Sequence, residues 1–191
     1  MKDLRVALCG SSGTGKSTLA KWISETYHLP INPNGARSVA KEMGFDSPYD
    51  VDKAGRRSEF QKKVVVAKCA WENEHDSFVT DRSHIDNTVY TMMHDIKVLT
   101  DEFLDSNMKA LSRYTHFIYC PVSVFCDLDD DPVRVKNTAY HKVYDVALQG
   151  FIKTYVTVAG GPYFMALNDR TLEDRKVSVE AMLSYGASRV T

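Results

Sequence analysis

The chain has 191 residues, 43% hydrophobic and 26% charged, with 24 Lys+Arg against 25 Asp+Glu and a formal net charge of −1. That length suits one domain with a real core, and the globular charge content argues against disorder. Six Pro and 10 Gly exclude a collagen-like or linker-rich chain; the balanced charge argues against an overall basic footprint for nucleic acid, though not against a local one.

Leu4–Cys9 is a strand candidate that runs into the glycine-rich loop from Gly10. Residues from Lys16 to about Tyr27 favour a helix, closed by Pro30, which cannot continue one. Pro30–Asn32 is a candidate second strand, and Ala36–Met43 a short helix ended by Gly44. The longest helical pattern is Lys53–His75, where Phe60, Val64, Ala67 and Trp71 recur at spacings of four, three and four. Ser77–Thr80 reads as a strand with Asp81 at its carboxyl end, and Ile85, Val89, Met92 and Ile96 form the next helical stripe. Thr115–Cys120 is a strand stopped by Pro121. A helix is predicted over Asn137–Val158 with Tyr140, Val143, Ala147, Phe151 and Tyr155 on one side. Tyr163–Leu167 is the last strand and Leu172–Ser184 the last helix. Strands alternating with helices predict an α/β fold: one domain with a parallel sheet of about five strands, covered by helices on both faces.

The start of the chain runs into an apolar segment too short for a signal-peptide core, and no stretch approaches the roughly 20 apolar residues of a membrane span. The four cysteines, Cys9, Cys69, Cys120 and Cys126, form no CxxC pair and have no His at zinc-ligand spacing. A cytoplasmic protein is the expectation.

Gly10-Ser11-Ser12-Gly13-Thr14-Gly15-Lys16-Ser17 satisfies G-x-x-x-x-G-K-[ST], between a strand and a helix as that motif requires. Its glycines let the backbone curl so that successive N–H groups point at phosphate oxygens. Lys16 is placed to reach the β- and γ-phosphates and the Ser17 hydroxyl to hold Mg²⁺, with Thr18 next along the helix. The motif predicts that the chain binds a nucleoside triphosphate, ATP with Mg²⁺, in a three-layer αβα P-loop NTPase fold. Asp81 sits where parallel α/β sheets expose their ligand-binding edge. There it can orient a metal-bound water or accept the proton of an attacking hydroxyl, and Arg82 can hold an anion. A helix N-cap for Asp81 and a surface cation for Arg82 are the plainer alternatives.

The run Asp81-Arg82-Ser83-His84-Ile85-Asp86 resembles the D/E-R-S…D motif of deoxynucleoside and nucleotide kinases. The chain is more similar still to ribosylnicotinamide-kinase-like P-loop proteins, often labelled AAA-type ATPase/kinase domains and common in phage genomes. That likeness extends to Gly35-Ala36-Arg37, Glu59-Phe60-Gln61 and Asp129–Arg134, and covers roughly Leu4 to Leu183. The resemblance implies that Asp81 is the catalytic base or a metal-water ligand, and that Arg82 binds acceptor or γ-phosphate. It places Arg37, Gln61 and Asp86 on the acceptor side, with Gln61 reading a base edge. It also puts a small mobile lid at about residues 121–137, with Arg134 or Lys136 delivered to the transferring phosphoryl group, and an adenine-side loop from Asn168 in which Arg175 stacks on the ring. Lys53, Arg56, Arg57, Lys62, Lys63 and Lys68 make one helix basic, with Glu59 its one acid before Trp71. A solvated face is the plain reading; a rim tracking DNA is the sharper one. Three activities follow: a kinase of a nucleoside or nucleotide, a kinase of a hydroxymethylated pyrimidine within DNA, and an ATPase or switch without an acceptor.

Overall fold

Four short strands form a single parallel sheet in the order β2-β1-β3-β4 in the computed structural model, which describes residues 3–127, 137–158 and 160–188. They are β1 (Arg5–Cys9), β2 (Phe78–Thr80), β3 (His116–Tyr119) and β4 (Tyr163–Ala166). The expected strand at Pro30–Asn32 is reduced to one parallel bridge, Ile31 to Val79, so among the described residues the sheet has four strands rather than about five. Pro30 removes a ladder donor at the start of that segment, Ile31 stays 36% exposed, and the buried Asn32 turns its side chain to Glu72, so the pairing with Val79 goes no further.

Alternation along the strands sorts the core into two layers. Val6 and Leu8 face α1 (Lys16–Tyr27) and α8 (Leu172–Ser188), packing with Leu19, Ile23, Val179 and Leu183. Ala7 and Cys9 face the other way, onto α5 (His84–His94), α6 (Asp101–Leu111) and α7 (Thr138–Tyr155), through Ile85, Val89, Leu111, Tyr144 and Leu148. Helices on both faces of a parallel sheet make the three-layer αβα architecture. A satellite cluster of Val39, Ala40, Val51, Phe60 and Val64 joins α2 (Ala36–Glu42), α3 (Pro48–Lys53) and α4 (Arg57–Asn73) beyond the sheet edge.

Three expectations are corrected. The pattern read as Lys53–His75 is two helices, because the chain turns at Gly55 with φ +67°, a left-handed conformation glycine adopts without steric cost. On α7 the buried face is His141, Tyr144, Asp145, Leu148 and Ile152, while Val143 is 59% exposed. The predicted side lies about one residue away around the helix, since aromatics at 140, 151 and 155 mimic a stripe that the sheet does not select. Between α5 and β3, a 3-10 turn (Ile96–Val98) and α6 intervene, and Ile96 is 61% exposed rather than part of the α5 stripe. Among the described residues, no helix is long and apolar enough to cross a membrane. Arg134 and Lys136, and most of the lid segment, lie outside the described residues.

Candidate functional site

The carboxyl ends of β1 and β2 carry the loop 10–17 and the Asp81–Arg82 turn to the same edge of the sheet. Gly13 and Gly15 take φ of +81° and +79°, which let the loop curl. At Gly10, φ is +142°, and a side chain would stand 2.5 Å from the Cys120 carbonyl oxygen, so only glycine fits. The N-cap of α1 is Gly15 without a side-chain cap, and no acid stands in its first turn. Its unsatisfied N–H groups and positive dipole end thus face the loop opening, an arrangement suited to an anion.

Lys16 is 4% exposed and donates to the Ser11 carbonyl and to Thr14 Oγ1 at 3.0 Å. Burial and the neighbouring Arg82 lower its pKa against the opposing pull of Asp81 and Asp86, so a phosphate beside it would restore the charge balance. Ser17 Oγ donates to Asp81 Oδ2, while Asp81 Oδ1 is buried with no partner among the described residues. A hydroxyl and a carboxylate with a spare buried oxygen are hard donors that fit Mg²⁺, which takes its remaining ligands from phosphate and water.

Arg82 donates to the Gly10 carbonyl at 3.3 Å and to Ser12 Oγ at 3.2 Å, and its guanidinium lies 5.0 Å from the Tyr90 ring centroid. Burial opposes its charge, but Tyr90, Tyr144, Asp86 and Asp81 outweigh that and raise its pKa. It is thus a fixed cation on the phosphate loop. Ser83, rather than Asp81, caps α5 in a capping box with Asp86, which leaves the Asp81 carboxylate to the site.

One cavity of about 640 Å³ runs from the loop residues Ser12–Thr18 past Asp81 and Arg82 to Arg37, Phe60, Gln61 and Tyr140. Gln61 is 4% exposed and lines it, with no side-chain hydrogen bond among the described residues, so its amide is available to a ligand edge. The cavity therefore brings together Ser12–Thr18, Asp81, Arg82, Arg37 and Gln61. Asp86 and Arg175 stand apart from it. Asp86 is fully buried beneath the loop, where Oδ1 accepts from Gly10 N (3.2 Å) and Tyr144 OH (2.8 Å) and Oδ2 from Ser83 N and Oγ (2.8 Å each). Arg175 is 3% exposed, donating to the Thr14 and Asp169 carbonyls at 2.8 Å each and lying over Phe125; it braces the loop from behind.

The sequence passed over two wall residues and a buried acid behind them. His141 Nδ1 meets Ser11 Oγ at 2.6 Å, tying α7 to the loop. Lys68, grouped above with surface cations, is 3% exposed and lines the cavity. Its i+4 neighbour Glu72 is fully buried, bonding Asn32 and His84. The signal available was periodicity: Gln61, Lys68 and Glu72 share the face of Val64 and Val65. The rest of the basic surplus is largely neutralised, since Lys53 pairs with Asp50, Arg57 with Asp52, and Arg56 and Lys63 with Glu59.

The profile of the AAA domain family matches residues 5–164. No curated protein matches the sequence significantly. Among solved structures, the NadR protein in complex with NAD and AMP-PNP superposes with a TM-score of 0.70 at 13% identity, covering 97% of this chain and 50% of that one. The chain thus spans about half the length of that relative. Deoxyadenosine kinase from M. mycoides, with dcmp and dcdp bound, gives 0.58 at 16% identity, covering 97% of this chain and 99% of that one. Shikimate kinase from Aquifex aeolicus gives 0.61 at 16% identity, with 96% and 98% covered. At these identities the likeness establishes a P-loop kinase-like fold.

Proposed function

This chain belongs to the AAA domain family, and from that premise we propose that it is an ATP-dependent kinase transferring the γ-phosphate to a hydroxyl or phosphate of a nucleoside- or nucleotide-type acceptor. The observation that carries this reading is the single cavity that extends the phosphate loop into a second compartment with Phe60, Gln61 and Arg37 in its walls. At about 640 Å³ it lies within the usual range of small-ligand sites, and an ATPase or switch needs no such compartment. Solved relatives bearing the fold include proteins named as kinases and bound to nucleotides, which agrees with the reading.

Catalysis of this kind is positioning and charge stabilisation. The loop N–H groups and Lys16 hold the triphosphate, giving up the internal bonds to Ser11 and Thr14. Ser17 and Asp81 are the residues that would hold Mg²⁺, which when bound neutralises phosphate charge. Asp81 orients the acceptor hydroxyl and takes its proton, and Arg82, fixed on Gly10 and Ser12, covers the charge that develops on the transferring group.

The test is a transfer screen with γ-labelled ATP and Mg²⁺, offering nucleosides, nucleoside monophosphates, ribosylnicotinamide and DNA containing hydroxymethylpyrimidine in separate reactions, with Lys16→Ala as control. Label in the nucleosides or monophosphates is the expected result. Label in DNA alone replaces the small acceptor with a polymer. Rapid ATP turnover that no acceptor stimulates overturns the kinase reading altogether.

A further inference from the structure

Lys68 has no part in holding the triphosphate as described, yet it is a cation buried in the cavity wall. It stands on α4 seven residues after Gln61, two helical turns along the same face, and is 3% exposed. Its ammonium donates to Thr80 Oγ1 at 3.3 Å and to the Arg82 backbone carbonyl. Thr80 Oγ1 donates to the same carbonyl at 3.0 Å. One carbonyl thus gathers two donors, and it closes the turn whose two outward side chains are Asp81 and Arg82. Desolvating an ammonium costs several kcal/mol, and an apolar side chain would fill the same space without that cost. Burial accordingly lowers its pKa, against the pull of Glu72, Asp86 and Asp81. Glu72 supplies a facing negative charge one turn further on, itself held by Asn32 at 3.2 Å and His84 at 3.0 Å.

We propose that Lys68 is a positioning residue: by pinning the Arg82 carbonyl it fixes the Thr80–Arg82 turn, and through that turn holds the Asp81 carboxylate against Ser17 and the Arg82 guanidinium against the phosphate loop. Its effect on phosphoryl transfer rests on the kinase reading; its effect on the Ser17–Asp81 pair does not.

Two measurements separate these. The first is the affinity of a fluorescent ATP analogue in Mg²⁺ and in EDTA, which needs no acceptor. In Lys68→Met the gain in affinity brought by Mg²⁺ falls about 10-fold, the scale of losing a group that orients a metal ligand, while affinity in EDTA stays at the wild-type level. Thr80→Val, which removes the second donor to the same carbonyl, moves the gain the same way by less, and Lys68→Arg restores part of it. The second is steady-state transfer, where Lys68→Met lowers kcat about 10–100-fold and KM for ATP rises by no more than the loss of the Mg²⁺ gain. A wild-type Mg²⁺ gain in both Lys68→Met and Thr80→Val overturns the proposal. If Lys68→Met does not fold, Thr80→Val decides: a reduced gain supports the pin and an unchanged gain refutes it. A wild-type protein that shows the Mg²⁺ gain and labels no acceptor sinks the kinase reading and leaves the pin standing.

Discussion

Asp86→Asn discriminates between a carboxylate that binds the acceptor and one that ties the site together. Its Oδ1 takes Gly10 N, Tyr144 OH and, at 3.5 Å, Arg82 Nη1, while Oδ2 takes both donors of Ser83. An amide presents one acceptor oxygen and one NH₂. With the oxygen kept on the Gly10 and Tyr144 side, the NH₂ faces the Ser83 N–H, and a buried donor left unsatisfied costs about 1–3 kcal/mol. The charge opposite Arg82 is lost as well. Truncating one member of a buried pair costs about 3–5 kcal/mol, and the 26% exposure of the Arg82 side chain places this term below that range. The sum is about 3–5 kcal/mol, or roughly 6–20 °C in Tm at about 2–4 °C per kcal/mol for a chain of this size. Differential scanning calorimetry and urea unfolding measure it, with Tyr144→Phe as the single-bond reference at about 1–2 kcal/mol. A variant within about 0.5 kcal/mol of wild type that shows only a raised KM for the acceptor would refute the structural assignment and return Asp86 to the acceptor site.

Arg175→Ala removes the bonds to Thr14 and Asp169 and is expected to destabilise by about 2–3 kcal/mol while weakening ATP and GTP analogues equally; selective loss of the adenine nucleotide in a binding titration would show instead that Arg175 stacks on the base. Lys16→Ala and Asp81→Asn each abolish transfer with a melting temperature near wild type, and near-full transfer by Asp81→Asn would remove it as the base. Burial lowers the His116 pKa from 6.5 to about 4, so the unfolded chain binds the extra proton between those values. Its contribution is therefore complete above pH 6.5 and lost as the pH falls towards 4. His116→Phe keeps a ring beside Tyr163, now 5.1 Å away, and should flatten the fall in urea midpoint between pH 7 and pH 5; an unchanged slope would show that His116 is not a source of it.

The parts of the site that were legible share one property: their geometry is local. In Gly10–Ser17, backbone conformation, helix start and ligand chemistry are all set within eight consecutive positions. Asp81 was legible for a related reason, since a carboxylate just after a short apolar strand lands on the ligand-binding edge. Lys68, Glu72 and His141 were not. A template that counts apolar residues assigns a buried polar wall to the surface, and only the approach of Thr80, Asn32 and Ser11 from distant elements makes those side chains interior. The basic helix illustrates the converse. Its charge is real in the sequence, but Lys53 pairs with Asp50 within α3, the turn at Gly55 brings Asp52 against Arg57, Glu59 takes Arg56 and Lys63, and most of the surplus cancels.

By itself the sequence determined the phosphate loop, the alternation of strands and helices, and the position of Asp81 and Arg82 at a strand end, because each follows from residues adjacent in the chain. Tertiary structure alone decided that Pro30–Asn32 adds a single bridge rather than a strand, which side of α7 is buried, and that Asp86 and Arg175 brace the loop from outside the cavity. Each of these depends on which partner a side chain meets across tens of residues. Hydrogen bonds and apolar burial select among faces that spacing along one helix or strand leaves nearly equivalent.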